Sequence, residues 1–174
     1  MIHGRRAFTL VEVMVAVLIL ALVSTAAALS FSHPLDVARL DDACRDVQQF
    51  DAATRELARS TGKPVRMTFD LSGDLVRRQG GRAADAEARF ALPTAIQLTE
   101  VRVEGEAFAT GAVQVDASPL GWTRSYAVRF TARSGERWLL ISGVSGQATR
   151  LNDVRELDAI EATANPRSPR HDAD

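Results

Sequence analysis

The chain has 174 residues, a formal net charge of −1, 25% charged and 46% hydrophobic residues, one cysteine and three histidines. That length leaves room for one globular domain, and a lone cysteine excludes an internal disulfide, so the fold must rest on packing. From residue 35 to 152 there are 16 basic and 15 acidic residues, so no global positive field recommends nucleic acid as a partner.

Arg5 and Arg6 open an apolar run that reaches Phe31 and is broken early by one carboxylate, Glu12. Val13 to Phe31 is 19 residues without a charge, close to the ~20 that span a bilayer. A secretory signal peptide has a shorter apolar core, although Arg5, Arg6 and Ala26-Ala27-Ala28 imitate its two ends. The segment therefore predicts a single span, and the two arginines before it predict a cytoplasmic N terminus. A carboxylate near the start of a span costs a few kcal/mol, which makes Glu12 a functional candidate by default.

Ser32-His33-Pro34 interrupts the run, and Pro34 either kinks one long helix or starts a second. Helical spacing then resumes. Val37, Leu40, Cys44, Val47, Phe50, Thr54 and Leu57 form one stripe at steps of three or four, which predicts an amphipathic helix ending at Gly62 and Pro64. Asp41, Asp42, Arg45, Asp46, Arg55, Glu56 and Arg59 are expected on its solvated face. Cys44, on the stripe, is expected to be a small core residue.

Beyond residue 62 the period becomes two. Val65, Met67 and Phe69 alternate with polar residues, and Ser72-Gly73-Asp74 turns the chain before Leu75-Val76. Residues 80–89 read as a variable loop. Further strands are expected at residues 96–104, around Val113-Gln114-Val115, and at 126–131 and 138–142, separated by glycine-bearing turns. Short strands without intervening helices imply an antiparallel sheet whose apolar face covers the helix stripe. Residues 153–174 show no strand pattern and end in a stretch rich in Pro and Arg, so they are expected to form a disordered tail.

The string Ala7-Phe8-Thr9-Leu10-Val11-Glu12 resembles the processing site of type IV pilins and type II secretion pseudopilins. The resemblance implies a leader, residues 1–7, removed by a prepilin peptidase between Ala7 and Phe8, and N-methylation of Phe8. Glu12 then becomes the fifth mature residue, where the family carries Glu. Ala7 departs from the usual Gly, and a cut after Gly4 would make Glu12 the eighth residue. Removing Arg5 and Arg6 takes the net charge to −3. The physical logic is plain. A carboxylate alone in hydrocarbon is costly, whereas the new amine of one subunit can neutralise the Glu12 of its neighbour and fix their stagger.

Gly62-Lys63-Pro64-Val65-Arg66-Met67-Thr68-Phe69, with the later Gly135 and Ser145-Gly146-Gln147, is similar to the minor pseudopilin H (GspH) group and its pilus relative, the FimT group. This implies a pilin-like α+β fold, a long N-terminal helix packed on an antiparallel β-sheet domain. Its parts would be a filament-core helix at 8–31 that is transmembrane before assembly, an amphipathic continuation at 32–61, and a β-rich domain at 62–152.

Material for catalysis is scarce. His3, His33 and His171 all fall outside the β region, which excludes a histidine triad or a histidine-rich metal site there. Gly80-Gly81 lacks the Lys and Ser/Thr of a phosphate loop, so no enzyme, cofactor or metal is expected. Trp138 is expected in the core. Trp122 is expected to close one end of the core, an exposed interface anchor being the alternative.

The first functional expectation is a minor pseudopilin in the periplasmic pseudopilus of a type II secretion system, helping to export folded proteins across the outer membrane. Its implied partners are other pseudopilins, the prepilin peptidase, the inner-membrane assembly platform and, before assembly, membrane lipid. The alternative is a minor type IV pilin acting in pilus assembly or DNA uptake. Arg150, Arg155, Arg167 and Arg170 would contact phosphates, but Asp153, Glu156, Asp158, Glu161, Asp172 and Asp174 oppose them. The third is an anchored periplasmic domain in which Glu12 is incidental.

Overall fold

The computed structural model describes residues 9–80 and 87–164, apart from the side chains of 26–34 and 164. Helix α1 runs from Leu10 to Thr61, and the chain divides into two compact units, Met1–Leu35 and Asp36–Asp174.

In the first unit, Thr9 caps α1. The Glu12 amide donates to the Thr9 carbonyl at 3.1 Å and to Thr9 Oγ1 at 3.3 Å. Thr9-Leu10-Val11-Glu12 is thus a Thr-x-x-Glu helix start, with its acid in the first turn where the helix dipole favours negative charge. All described side chains from Thr9 to Thr25 are exposed.

Among the described residues, the second unit holds the rest of α1, nine strands and a closing helix. The strands are β1 (Val65–Asp70), β2 (Leu75–Gly80), β3 (Glu87–Ala91), β4 (Gln97–Val103), β5 (Glu106–Phe108), β6 (Ala112–Ala117), β7 (Tyr126–Ala132), β8 (Gly135–Ile141) and β9 (Ala148–Leu151). Helix α2 (Val154–Ala164) follows them. They form two sheets, in the orders β3-β2-β1-β6 and β5-β4-β7-β8-β9, with every pair antiparallel. One sheet was expected and two are found. Alternation identifies a strand but not its neighbour, and β6 returns to β1 (Met67 opposite Val115) instead of joining β4.

The main core lies between α1 and both sheets. Leu40, Ala43, Cys44 and Val47 pack with Met67, Phe69 and Val115 of one sheet and with Leu98, Tyr126, Val128, Phe130 and Leu139 of the other. The helix stripe meets the sheet faces as its spacing predicts, and Cys44 is a fully buried member of it.

A second core explains α2. Ala127, Trp138, Leu151 and Leu157 are buried together on the other face of the larger sheet. Arg102 lies over the Trp138 ring at 5.0 Å and binds Asp158 at 2.8 Å. Residues 154–164 are therefore helical, not disordered as expected. The signal is one apolar pair, Val154 and Leu157, after Asp153, whose carboxylate accepts the Arg155 amide at 3.1 Å. That is too short a pattern to stand out among charges. Residues 165–174 lie outside the described residues.

The expected loop at 80–89 is also shorter. Its first residue ends β2 and residues 87–89 open β3, whose Phe90 sits opposite Val76 and packs edge-on against Phe50 at 5.1 Å. Only 81–86 lie outside the described residues. Glu87 and Arg89 do alternate with Ala88 and Phe90, but only over five residues, too short a run to stand out beside the polar stretch before it.

Burial pushes the Cys44 thiol up to about 12. The native chain is therefore expected to resist iodoacetamide near pH ~8 and to react at Cys44 only on unfolding, since the thiolate is the nucleophile. Mass measurement of alkylation with and without denaturant checks this.

Candidate functional site

Of the residues expected to act, Ala7 and Phe8 lie outside the described residues. Glu12 sits exposed in the first turn of α1. It is surrounded in sequence by eleven large apolar side chains between Leu10 and Val23, each 48% to 80% exposed. A helix apolar on every side needs an apolar surround from elsewhere. Among the described residues no helix is long and apolar enough to cross a membrane. The expected span at 8–31 is only partly described, since Phe8 and the side chains from 26 onward are excluded.

A second constellation was missed at the level of sequence. Asp51 and Arg55, one helical turn apart on α1, are 2% and 4% exposed. Arg55 Nε donates to Asp51 Oδ2 at 2.6 Å. Its Nη1 donates to the carbonyls of Gly121 (3.2 Å) and Gly143 (2.6 Å). Its Nη2 donates to Thr123 Oγ1 (2.7 Å) and the Ser142 carbonyl (3.3 Å). The second oxygen of Asp51 accepts from the Tyr126 hydroxyl at 2.9 Å. Arg55 was expected on the solvated face and is instead buried, because its fork meets five acceptors that only the folded chain assembles. The available signal was an Asp–Arg pair at i,i+4 bracketing Thr54 on the stripe.

This guanidinium binds two turns together, the β6–β7 connection and the β8–β9 connection. Their approach is close. A Cβ on Gly143 would lie 2.3 Å from the Thr123 carbonyl, and the Thr123 amide donates to the Gly143 carbonyl at 2.9 Å. Trp122 sits on the first turn, 53% exposed. It does not close the core as expected. Gly121, at φ 78°, and the bond from the Trp122 amide to Ser118 Oγ (3.1 Å) turn it outward. Trp138 is fully buried.

No group of three or more His, Cys, Asp or Glu is arranged to hold a metal among the described residues. The arrangement can position backbone, but it offers no nucleophile paired with a base.

Comparison with known proteins fits this picture. Residues 2–28 match the prokaryotic N-terminal methylation motif. The chain is similar to the crystal structure of the minor pseudopilin EPSH from the type II secretion system of Vibrio cholerae. The TM-score is 0.52 at 14% identity, over 66% of this chain and 94% of that one. This is a pseudopilin fold. A second structure of the Vibrio cholerae minor pseudopilin EpsH aligns over 66% of this chain and 97% of its own, at TM-score 0.49 and 11% identity. No curated protein matches the sequence. The two findings agree, a methylation motif at the N terminus and the fold of a minor pseudopilin.

Removing one member of a buried ion pair leaves an uncompensated charge. Arg55→Met is therefore expected to lower stability by about 3–5 kcal/mol, with the double change Asp51→Leu, Arg55→Met losing less, as read by urea denaturation. Burial, then the Asp51 charge, pushes the Tyr126 hydroxyl well above its ordinary value. The unfolded chain thus releases that proton first, and stability present below pH ~10 falls as the pH rises beyond it. Tyr126→Phe is expected to flatten that alkaline limb of a stability-versus-pH curve.

Proposed function

We propose that this chain is a minor pseudopilin of a type II protein secretion system, a structural subunit of a periplasmic filament. The carrying observation is the methylation motif over residues 2–28 together with the first part of α1, whose large apolar side chains from Leu10 to Val23 are exposed on every side. Such a helix suits lipid before assembly and a bundle of like helices afterwards. In this reading a prepilin peptidase cuts between Ala7 and Phe8, Phe8 is N-methylated, and the helix at 8–31 is anchored in the bacterial inner membrane with the domain in the periplasm. An inner-membrane assembly platform then passes it into the pseudopilus beside other pseudopilins.

Glu12 has two roles to separate. Its amide belongs to the helix start, while its exposed carboxylate would meet the new amine at Phe8 of an adjacent subunit. That pairing favours one axial stagger, the role for which buried ion pairs are best attested. Gln serves a Thr-x-x-Glu start as well as Glu does, so Glu12→Gln preserves the helix and removes the charge.

The likeness to a type II secretion subunit favours secretion over the alternative, a minor type IV pilin of the FimT kind in pilus assembly or DNA uptake. For DNA binding the described residues offer little, since exposed Arg155 already faces Asp153 at 3.6 Å.

Mass spectrometry of the chain from its own cells is expected to find a methylated Phe8 as first residue, and an intact leader sinks the proposal. Glu12→Gln and Glu12→Ala are both expected to be processed yet excluded from filaments. Normal incorporation of either removes the register role, and normal export of folded substrates in a deletion strain removes the secretion role.

A further inference from the structure

Helix α2 covers an apolar face of the larger sheet, yet little polar bonding holds it there. Beneath it lie Ala127, Trp138 and Leu151, with Leu140 and Val154 at the margin and Leu157 fully buried. The Nε1 of the buried Trp138 has no partner among the described residues. The indole therefore supplies contact area but no hydrogen bond to close the cover. Both described ion pairs between α2 and the sheet end on one guanidinium. Arg102 Nη1 meets Asp158 at 2.8 Å and Glu161 at 3.7 Å.

That cation is shared further. On its own strand, β4, it binds Glu100 at 2.7 Å, and Glu100 lies 3.7 Å from Arg129 of β7. Arg129 in turn pairs with Glu136 of β8. Four carboxylates thus share two guanidiniums, which leaves two negative charges in excess when all are ionised. Glu161 has the least favourable place among them. It is 30% exposed and sits in the last turn of α2, which holds no basic residue and where the helix dipole opposes negative charge. Asp158, three residues earlier, is its neighbour on the helix surface and a like charge. Burial raises the Glu161 carboxyl above its ordinary value; Arg102 pulls it down, and Asp158 and Glu100 push it up again.

We infer that α2 is a strap which loosens when the carboxylate cluster around Arg102 loses its last proton, from Glu161, and which uncovers the Trp138 face as it lifts. A carboxyl raised in the folded chain favours the closed strap while it keeps its proton. That preference is lost as the pH climbs through its folded value. Burial of Leu157 and the indole keeps the closed form dominant, and the proton sets how often α2 lifts. A short helix bound through one side chain can lift locally, without unfolding the sheet beneath it.

The test is hydrogen exchange in the full chain, held in detergent, from pH ~5 to ~7.5, a window that starts above the ordinary carboxylate range. Exchange of residues 154–164, divided by the rate of unstructured chain at each pH, reads the opening equilibrium. Opening is expected to rise roughly threefold or more across the window, one pKa unit being worth tenfold, while β7 and β8 stay protected. Glu161→Gln carries a side chain that is neutral throughout, and is expected to hold opening at its low-pH level. Its thermal midpoint at neutral pH should match or exceed the parent's. With Trp122→Phe, Trp138 is the remaining tryptophan, and its quenching by acrylamide is expected to follow the same pH course. Opening indifferent to pH, opening that grows as the pH falls, or a response retained in Glu161→Gln overturns the proposal. So does a lowered midpoint in that variant, loss of β7 and β8 protection together with α2, or quenching that stays flat while α2 opens.

Discussion

One buried cation organises the distal half of the domain. Arg55 leaves water only because Asp51 balances its charge and because three carbonyls and a hydroxyl take its remaining protons. A charge so enclosed is tolerable when every donor is met and destabilising when one is lost. The turns carrying Gly121, Thr123, Ser142 and Gly143 are thereby fixed to α1 and to each other, and Tyr126 is drawn into the same network through Asp51. At the other end of this unit Asp36 does a smaller version of the same task, accepting from Ser134 at 2.8 Å.

Around that network the division of labour is clear. The inner faces of both sheets and the stripe on α1 form an apolar core, and the reverse of the larger sheet is closed by α2 over Trp138. Arg102 and Arg129 lie over the Trp138 ring and meet Glu100, Glu136 and Asp158. Those ion pairs are partly exposed, so they contribute modestly; the ring and Leu157 supply most of the attachment through burial. The first unit has a different character, since its large apolar side chains from Leu10 to Val23 are exposed.

Much of this was legible in the residues. Periodicity gave the stripe from Leu40 to Leu57 and the strands at β1, β2, β4, β6, β7 and β8, because each alternates or repeats on its own. What stayed hidden depends on partners far away in the chain. Whether Arg55 faces water or protein is decided by carbonyls near residues 121 and 143, and nothing local to 55 reports them. Residues 154–164 needed the Trp138 surface to become a helix, and β5 and β9 are too short to announce themselves. Trp122 misled for a related reason. Composition says only that tryptophan favours burial, while the Gly121 turn decides its direction. Glu12 was conspicuous as a charge in an apolar run, but its place in a capped helix start follows from Thr9, three residues away.

Four of the five acceptors of Arg55 lie 66 to 88 residues beyond it. A bond of that span cannot form until the intervening strands have been made and brought back, and such long closures slow folding. During synthesis α1 emerges first, and its guanidinium has only Asp51 to meet while the remaining donors stay hydrated. The domain therefore has a late locking step, in which dehydration of one side chain waits for the β8–β9 turn. Until then the turns around residues 121 and 143 have no common brace, so a chain halted before β8 would carry the helix and seven of the nine described strands without that brace.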